Sequence, residues 1–184
     1  LGLWVGPQLG QGAAGQAALV TRWTARAALP LFLVTYCAGP WLRVAPGALS
    51  CALVRRRRQW GLGFALAHGI HLVALWINLT VFGVQRPMVV IVGGGIAYGF
   101  IALMALTSND AAMRRLGRNW KRLHSVGMQY IWAIFTFSYA GRIVTADKWL
   151  AGSLATGLLL AALALRLYAR FGRRRTGLAG KAAV

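Results

Sequence analysis

Long hydrophobic runs without a charged residue, separated by short basic clusters, dominate the sequence. Four runs approach or exceed the roughly 20 apolar residues that a helix needs to cross a bilayer, namely residues 59–85, 87–109, 123–141 and 149–165. A shorter fifth run, residues 27–42, contains Pro30 and Pro40, which a membrane helix tolerates when neighbouring groups satisfy the freed carbonyls. Residues 1–9 resemble the tail of a sixth span. The pattern predicts an all-α, polytopic transmembrane helical bundle with five visible spans plus this tail.

Composition agrees with a membrane protein, because 58% of the 184 residues are hydrophobic and only 12% are charged. The charged share is about half that of an average soluble domain. A soluble helical bundle with a buried core is disfavoured, since five consecutive apolar segments are joined by very short loops. The net charge of +19, with Asp110 and Asp147 as the two acids, raises nucleic acid as a partner. No nucleic-acid partner is expected, because the basic residues cluster between apolar runs as membrane flanks do.

The distribution of basic residues predicts the orientation of the chain in the membrane. If the connections alternate sides, sixteen Lys and Arg residues fall on one side and five on the other. Basic loops stay in the cytoplasm, so the connections 45–58 and 108–122 and the C-terminal tail are expected there. The turns 85–87 and 142–148 are then expected outside. We therefore predict a multi-pass protein of the bacterial inner membrane, in contact with the lipid bilayer and with a cytoplasmic C-terminus.

Other features of the sequence point to structural roles. Cys37 and Cys51 have neither a disulfide framework nor metal-ligand spacing, which indicates inert thiols. The glycines at 93–95 and Gly99 are typical of close helix packing in lipid, although a ligand-facing cleft remains an alternative. No cleavable signal peptide is visible, and the chain begins at Leu1 without Met. An N-terminal piece is therefore expected to be missing.

Three histidines, His68, His71 and His124, lie in or beside the predicted spans. Ionisable groups at membrane depth are costly, so each is a candidate functional residue. His68 and His71 are three positions apart and share a helix face. Membrane cytochromes hold b-type haem through axial histidines, but hydrogen bonding between helices would explain the same pair. The residues alone leave both interpretations open.

Three motifs occur in a fixed order along the chain. The segment 57–62 reads RRQWGL and leads to His71, Arg86-Pro87 opens the next span, and residues 114–124 read RRLGRNWKRLH. From about residue 1 to residue 170, this order resembles the ferric-reductase-like transmembrane family. Within that family it is most similar to the haem-binding membrane subunits of periplasmic methionine sulfoxide reductase systems. The stretch 114–124 is its most specific part.

The resemblance implies a membrane core that binds haem b and passes electrons from a quinol or a cytoplasmic-side donor to an acceptor outside. It implies that His71 and His124 are axial ligands of haem iron, that Arg57 lies near the shallower site, and that residues 1–170 form one domain followed by a basic cytoplasmic tail, residues 171–184. His68 has no counterpart in the family pattern, although its position keeps it a candidate. A quinone and further subunits of a membrane complex are the partners expected from this resemblance.

One position departs from the family pattern. The family has a second histidine thirteen residues after the position of His124, and this sequence has Phe137 there. At about 1.5 Å of rise per residue, His71 and Phe137 are expected at one depth and facing each other, with His124 more than about 15 Å away in depth. A haem bridging His71 and His124 is therefore hard to build. A five-coordinate haem, a ligand from a missing segment or a partner, or Met128, Gln129 or Tyr130 as ligand are the remaining options.

Three function classes follow from this pattern. The first is an electron-transfer haem protein, and the second is a haem-depleted accessory subunit of a larger respiratory or photosynthetic complex. A transporter or channel is the least favoured, because two acids near span ends provide no carboxylate proton relay. The sequence has no dinucleotide-binding fingerprint, no paired carboxylates and no zinc spacing. We therefore expect an electron-transfer subunit at most, without a self-contained catalytic site.

Overall fold

A computed structural model describes residues 12–179, with side chains as far as residue 171, and all regular elements in this part are α-helices. In chain order they are α1 (Ala13–Val44), α2 (Ala48–Arg55), α3 (Arg57–Thr80), α4 (Met88–Leu106), α5 (Asp110–Leu116), α6 (Arg118–Ala140) and α7 (Trp149–Ala179). The predicted all-α class is confirmed for these residues.

Four of the helices are long and apolar enough to cross a membrane, namely α1, α3, α4 and the part of α7 that ends at Phe171. The fifth predicted span corresponds to α6, which has 23 residues but a lower apolar content. Its first turns carry Arg118, Lys121 and Arg122. Crossing by α6 therefore stays a prediction, and the predicted tail of a sixth span lies outside the described residues.

Helix α1 is much longer than the predicted run of residues 27–42. It begins at Ala13 and has 32 residues, about 48 Å at the usual rise. The charge-free run is shorter than the helix because Arg22 and Arg26 interrupt it, whereas arginine side chains can extend along a helix toward polar surroundings without ending it. Pro30 and Pro40 both lie inside the helix, as expected for a membrane segment.

The five long helices form a closed ring in the order α1, α3, α4, α6 and α7, with α7 returning to α1. The most extensive contact is between α1 and α3. Aromatic side chains fill the centre, where Phe32 lies 5.1 Å from Phe135 and 5.5 Å from Phe64 between ring centroids. Large apolar residues such as Leu66 and Val73 are exposed on the outer surface, as expected for helices surrounded by lipid.

The two ends of the ring differ in charge. At one end α3 and α6 begin, and the short helices α2 and α5 carry further arginines; we call it the basic end. Between α5 and α6 the chain turns at Gly117, whose φ of 51° favours a residue without a side chain. At the other end, which we call the opposite end, lie the turns 81–87 and 141–148.

Candidate functional site

A cavity of about 420 Å³ lies at the basic end, bordered by α1, α3, α4, α5, α6 and α7. Its inner walls are apolar and include Phe64, Ile101, Met104 and Met128. Its charged or titratable lining residues are Arg57, Arg58, Asp110, Lys121, His124 and Arg166. An apolar chamber with a few polar groups at one side is typical of a cofactor or small-molecule site.

The lining of the cavity is strongly cationic. Asp110 is its one acidic residue, and its carboxylate is 3.2 Å from the Arg58 guanidinium at an exposed position. Arg57, Lys121 and Arg166 have no carboxylate partner among the described side chains. The Arg166 guanidinium lies 4.7 Å from the ring centroid of buried Tyr36. The cavity is therefore suited to a ligand that has an apolar body and anionic groups.

Two neighbours hold the His124 ring at the wall of this cavity. The Trp120 indole stacks on it with 4.1 Å between centroids, and Nε2 is 3.3 Å from the Thr107 hydroxyl. Thr107 Oγ1 also lies 2.7 Å from the Leu103 carbonyl oxygen, to which it can donate. Which of Thr107 Oγ1 and His124 Nε2 donates to the other depends on the tautomer of the imidazole.

His71 belongs to a different environment, in the interface of α1 and α3. Its Nδ1 is 3.1 Å from the Thr24 hydroxyl. Farther toward the opposite end of the same interface, the Asn78 amide donates to Thr21 Oγ1 at 2.6 Å and to the Ala17 carbonyl at 2.9 Å. These bonds form a polar ladder, which we define as Thr21, Thr24, His71 and Asn78.

His68 lies beside His71 in an aromatic environment. Its ring centroid is 4.9 Å from that of Phe64, 5.4 Å from those of Tyr98 and Phe135, and 5.5 Å from that of His71. The predicted shared face of His68 and His71 is therefore present. The buried Nδ1 of His68 has no hydrogen-bond partner among residues 12–171. Such a group is unusual in a folded protein, and it marks His68 as a place where a polar partner would be stabilised.

The structure separates the predicted site residues into two groups. His124 and Arg57 line the cavity, whereas neither His68 nor His71 belongs to its lining. Within the described residues no three His, Cys, Asp or Glu side chains come together to hold a metal ion. A haem iron, however, needs only one or two axial imidazoles, since the porphyrin supplies its other ligands.

The expectation that Phe137 faces His71 was wrong. The Phe137 side chain is 69% exposed, whereas the buried face of α6 contains Ile131, Phe135 and Tyr139. Two positions along a helix correspond to a rotation of about 200°, so a helix that turns Phe135 inward must turn Phe137 outward. Phe135 is the α6 residue in contact with His68.

Sequence analysis did not identify two inward polar features of this region. The position of Arg166 directly after the last apolar run indicates a flanking charge, yet its side chain lines the cavity together with Arg57 of α3. The buried Tyr36 hydroxyl, in the C-terminal half of α1, donates to Gln129 Oε1 at 2.6 Å. A single arginine directly after a long apolar run was the available signal, but it did not distinguish an inward from an outward side chain.

The residues of the cavity fit a haem group. His124 offers an imidazole at the wall, Arg57, Lys121 and Arg166 offer cations for propionate carboxylates, and the inner walls are apolar enough for a porphyrin. The surroundings of His68 fit less well, because the rings of Phe32, Phe64 and Phe135 occupy the centre of the bundle. The cavity at the basic end therefore fits a haem group better than the surroundings of His68 do.

Comparison with known proteins gives a consistent group of relatives. The chain is 32% identical over 183 residues to the protein-methionine-sulfoxide reductase heme-binding subunit MsrQ of Xanthomonas campestris, covering 94% of this chain and 80% of the relative. It is 31% identical over 166 residues to MsrQ of Klebsiella pneumoniae, covering 85% and 79%. It is 30% identical over 169 residues to MsrQ of Salmonella enteritidis, covering 83% and 76%. No family model and no solved structure matches the chain.

Proposed function

The chain belongs to the MsrQ family, and from this membership we propose that it is an integral membrane b-type haem protein that transfers electrons across the bacterial inner membrane. The donor is a quinol or a cytoplasmic-side reductant, and the acceptor lies outside. The observation that carries the proposal is the cavity at the basic end, where an imidazole and several unpaired cations meet apolar walls.

In this proposal the residues of the cavity have different parts in binding the haem. His124 would bind the haem iron through a ring nitrogen, and its ring is held at the cavity wall by the stacked Trp120 indole and by the 3.3 Å contact of Nε2 with Thr107. Arg57 and Arg166 neutralise the propionates, and Phe64, Met104 and Met128 exclude water. When bound, haem b supplies a carrier that accepts and releases one electron at a time.

His71 is proposed as the second ligand position, with His68 beside it. His68 lies eleven positions beyond Arg57, the first residue of α3, and His71 lies fourteen positions beyond it, so both are deeper in the bundle. Groups that exchange electrons across a membrane must occupy more than one depth, because a single site near one surface leaves most of the bilayer uncrossed. Two separated imidazole positions support such a route better than a single haem bridging His71 and His124.

The basic end is proposed to face the cytoplasm, together with the C-terminal tail, because basic flanks remain on that side. The relatives are named as subunits, which supports protein partners in a membrane assembly. No self-contained catalytic site is proposed for the chain, so the reaction that consumes the electrons belongs to a partner.

The proposal is tested by purifying the full chain from a haem-replete host and recording oxidised, reduced and pyridine haemochrome spectra. We expect a b-type spectrum and the loss of most bound haem in His124→Ala, because an axial ligand is removed. Asn119→Ala, which changes an exposed polar residue of the same helix outside the cavity lining, should retain the wild-type haem content. Colourless wild-type protein would overturn the proposal.

A second candidate is a haem-depleted accessory subunit. Two observations favour it: Phe137 replaces a family histidine and is exposed, and aromatic rings fill the bundle beside His68. In that case the purified chain would be colourless and would copurify in equal amount with other membrane subunits. Stable haem binding by the isolated chain would exclude it.

A further inference from the structure

Arg166 lies on the inward face of α7. The buried residues of this helix are small or aliphatic and recur at helical spacing: Ala155, Leu159, Ala162 and Ala169. Arg166 is seven positions after Leu159 and three before Ala169, and residues three, four and seven apart share one face of a helix. Its guanidinium is therefore the one charged group on this face among the described residues.

Two effects favour an outward orientation of the Arg166 side chain. An arginine stem is long enough to extend along a helix until its guanidinium reaches lipid head groups or water. Arg57 lines the same cavity, and two positive charges at one cavity repel each other. The inward orientation of Arg166 therefore needs a stabilising contact within the bundle.

The Tyr36 ring provides this contact. The Arg166 guanidinium carbon lies 4.7 Å from the centroid of the ring, which is fully buried on α1. The Tyr36 hydroxyl donates to Gln129 Oε1 of α6 at 2.6 Å, and this bond fixes the ring from the side of a third helix. A cation over an aromatic face is attracted by the negative charge of that face, more strongly where water is excluded.

We propose that Tyr36, fixed by Gln129, is a positioning residue that holds the Arg166 guanidinium in the cavity, ready to bind a carboxylate of the ligand. A guanidinium that is already held in place loses less side-chain freedom when it pairs with a carboxylate. The identity of the carboxylate as a haem propionate rests on the proposed function, whereas the effect of Tyr36 on the orientation of Arg166 does not.

The first test compares two ligands of nearly the same shape. Haem-free full-length chain in detergent micelles is titrated with iron(III) protoporphyrin IX and with its dimethyl ester, whose propionates are uncharged. We expect Tyr36→Leu to weaken binding of the free acid by about 3- to 30-fold, the range of a desolvated cation–π contact, and to leave binding of the ester near the wild type. Tyr36→Phe, which keeps the ring without the bond to Gln129, should lie between.

The variants of Arg166 and of a neighbouring ring complete this comparison. Arg166→Gln should also weaken only the free acid, and adding Tyr36→Leu to it should cause no further loss, because both changes remove the same cation from the cavity. The matched control is Phe32→Leu, which removes another fully buried ring one turn away on α1. It should leave the ratio of the two affinities unchanged.

The second test needs no haem. In NMR spectra of the arginine-labelled, haem-free chain, the Arg166 Nε–H signal is assigned by its loss in Arg166→Gln. The ring current of Tyr36 should shift this signal upfield in the wild type and in Tyr36→Phe. In Tyr36→Leu the signal should return to the range of exposed arginines.

Two results would overturn the inference: an equal loss of both porphyrins in Tyr36→Leu, or an Arg166 signal without an upfield shift in the wild type. The second result decides the matter even if Tyr36→Leu fails to fold. A wild-type chain that binds neither porphyrin would instead refute the proposed function, while the NMR shift would still decide whether Tyr36 holds Arg166.

Discussion

At the scale of single residues, polar side chains inside this bundle are matched to acceptors on neighbouring helices. The Asn78 amide, 5% exposed, bonds across the interface of α1 and α3 to Thr21 and to the Ala17 carbonyl. The Trp132 indole donates to the Leu159 carbonyl on α7 at 2.9 Å. Without water in the surrounding hydrocarbon, an unmatched group would be costly. These bonds therefore determine how the helices are rotated against one another.

Asn78→Leu tests this conclusion. The variant removes the bonds to Ala17 and Thr21, and we expect the free energy of unfolding to fall by about 1 kcal/mol, as for other interhelical hydrogen bonds in membranes. Thr80→Val is the control, because its exposed hydroxyl bonds only to the Trp76 carbonyl of the same helix. Reversible unfolding in detergent micelles measures the free energy of unfolding of both variants. Equal stability of the two variants would show that the polar ladder does not stabilise the interface.

At the scale of helices, close approach depends on a few glycines rather than on all of them. An added Cβ at Gly152, near the start of α7, would lie 3.0 Å from the Tyr139 carbonyl oxygen and 3.0 Å from the Ile143 amide nitrogen. These are backbone atoms of the end of α6 and the turn after it, so they cannot rotate away. At Gly157, one and a half turns further along α7, no atom lies within 4 Å of an added Cβ.

Gly152→Ala is therefore expected to lower the free energy of unfolding by about 1–3 kcal/mol, the usual effect of overpacking. Gly157→Ala should leave it unchanged or raise it by up to about 1 kcal/mol, because alanine favours helix more than glycine does. The free energy of unfolding of both variants is measured in detergent. The two are directly comparable because each replaces glycine by alanine in the same helix. A Gly152→Ala protein as stable as Gly157→Ala would contradict the packing of α7 against this turn.

At the scale of the whole molecule, the helices enclose an asymmetric bundle. Its basic end contains the cavity with His124, and the polar ladder with His71 extends through the interface of α1 and α3 toward the opposite end. Under the proposed orientation, the cavity faces a cytoplasmic donor and the ladder leads toward an acceptor outside. The direction of the proposed electron route therefore depends on which side the basic end occupies.

Thiol labelling can establish this orientation. Cys51 is exposed on α2 at the basic end, so in a Cys37→Ser background a membrane-impermeant maleimide should label it in inverted vesicles but not in intact spheroplasts. The reverse is expected for Ala146→Cys in a protein that lacks both native cysteines, because residue 146 is exposed in the turn 141–148. Labelling of Cys51 from outside would reverse the proposed direction.

The sequence by itself determined that the chain is helical, where most helices lie, and which end is basic. These properties follow from local composition, because charge-free apolar runs and basic flanks act within one segment. Only the tertiary structure decided which faces meet. It turned Phe137 outward, brought Arg166 to Arg57 and His124, and paired His71 with Thr24. A helix that is apolar on nearly every side contains little information about its own rotation, so packing against its neighbours must supply it.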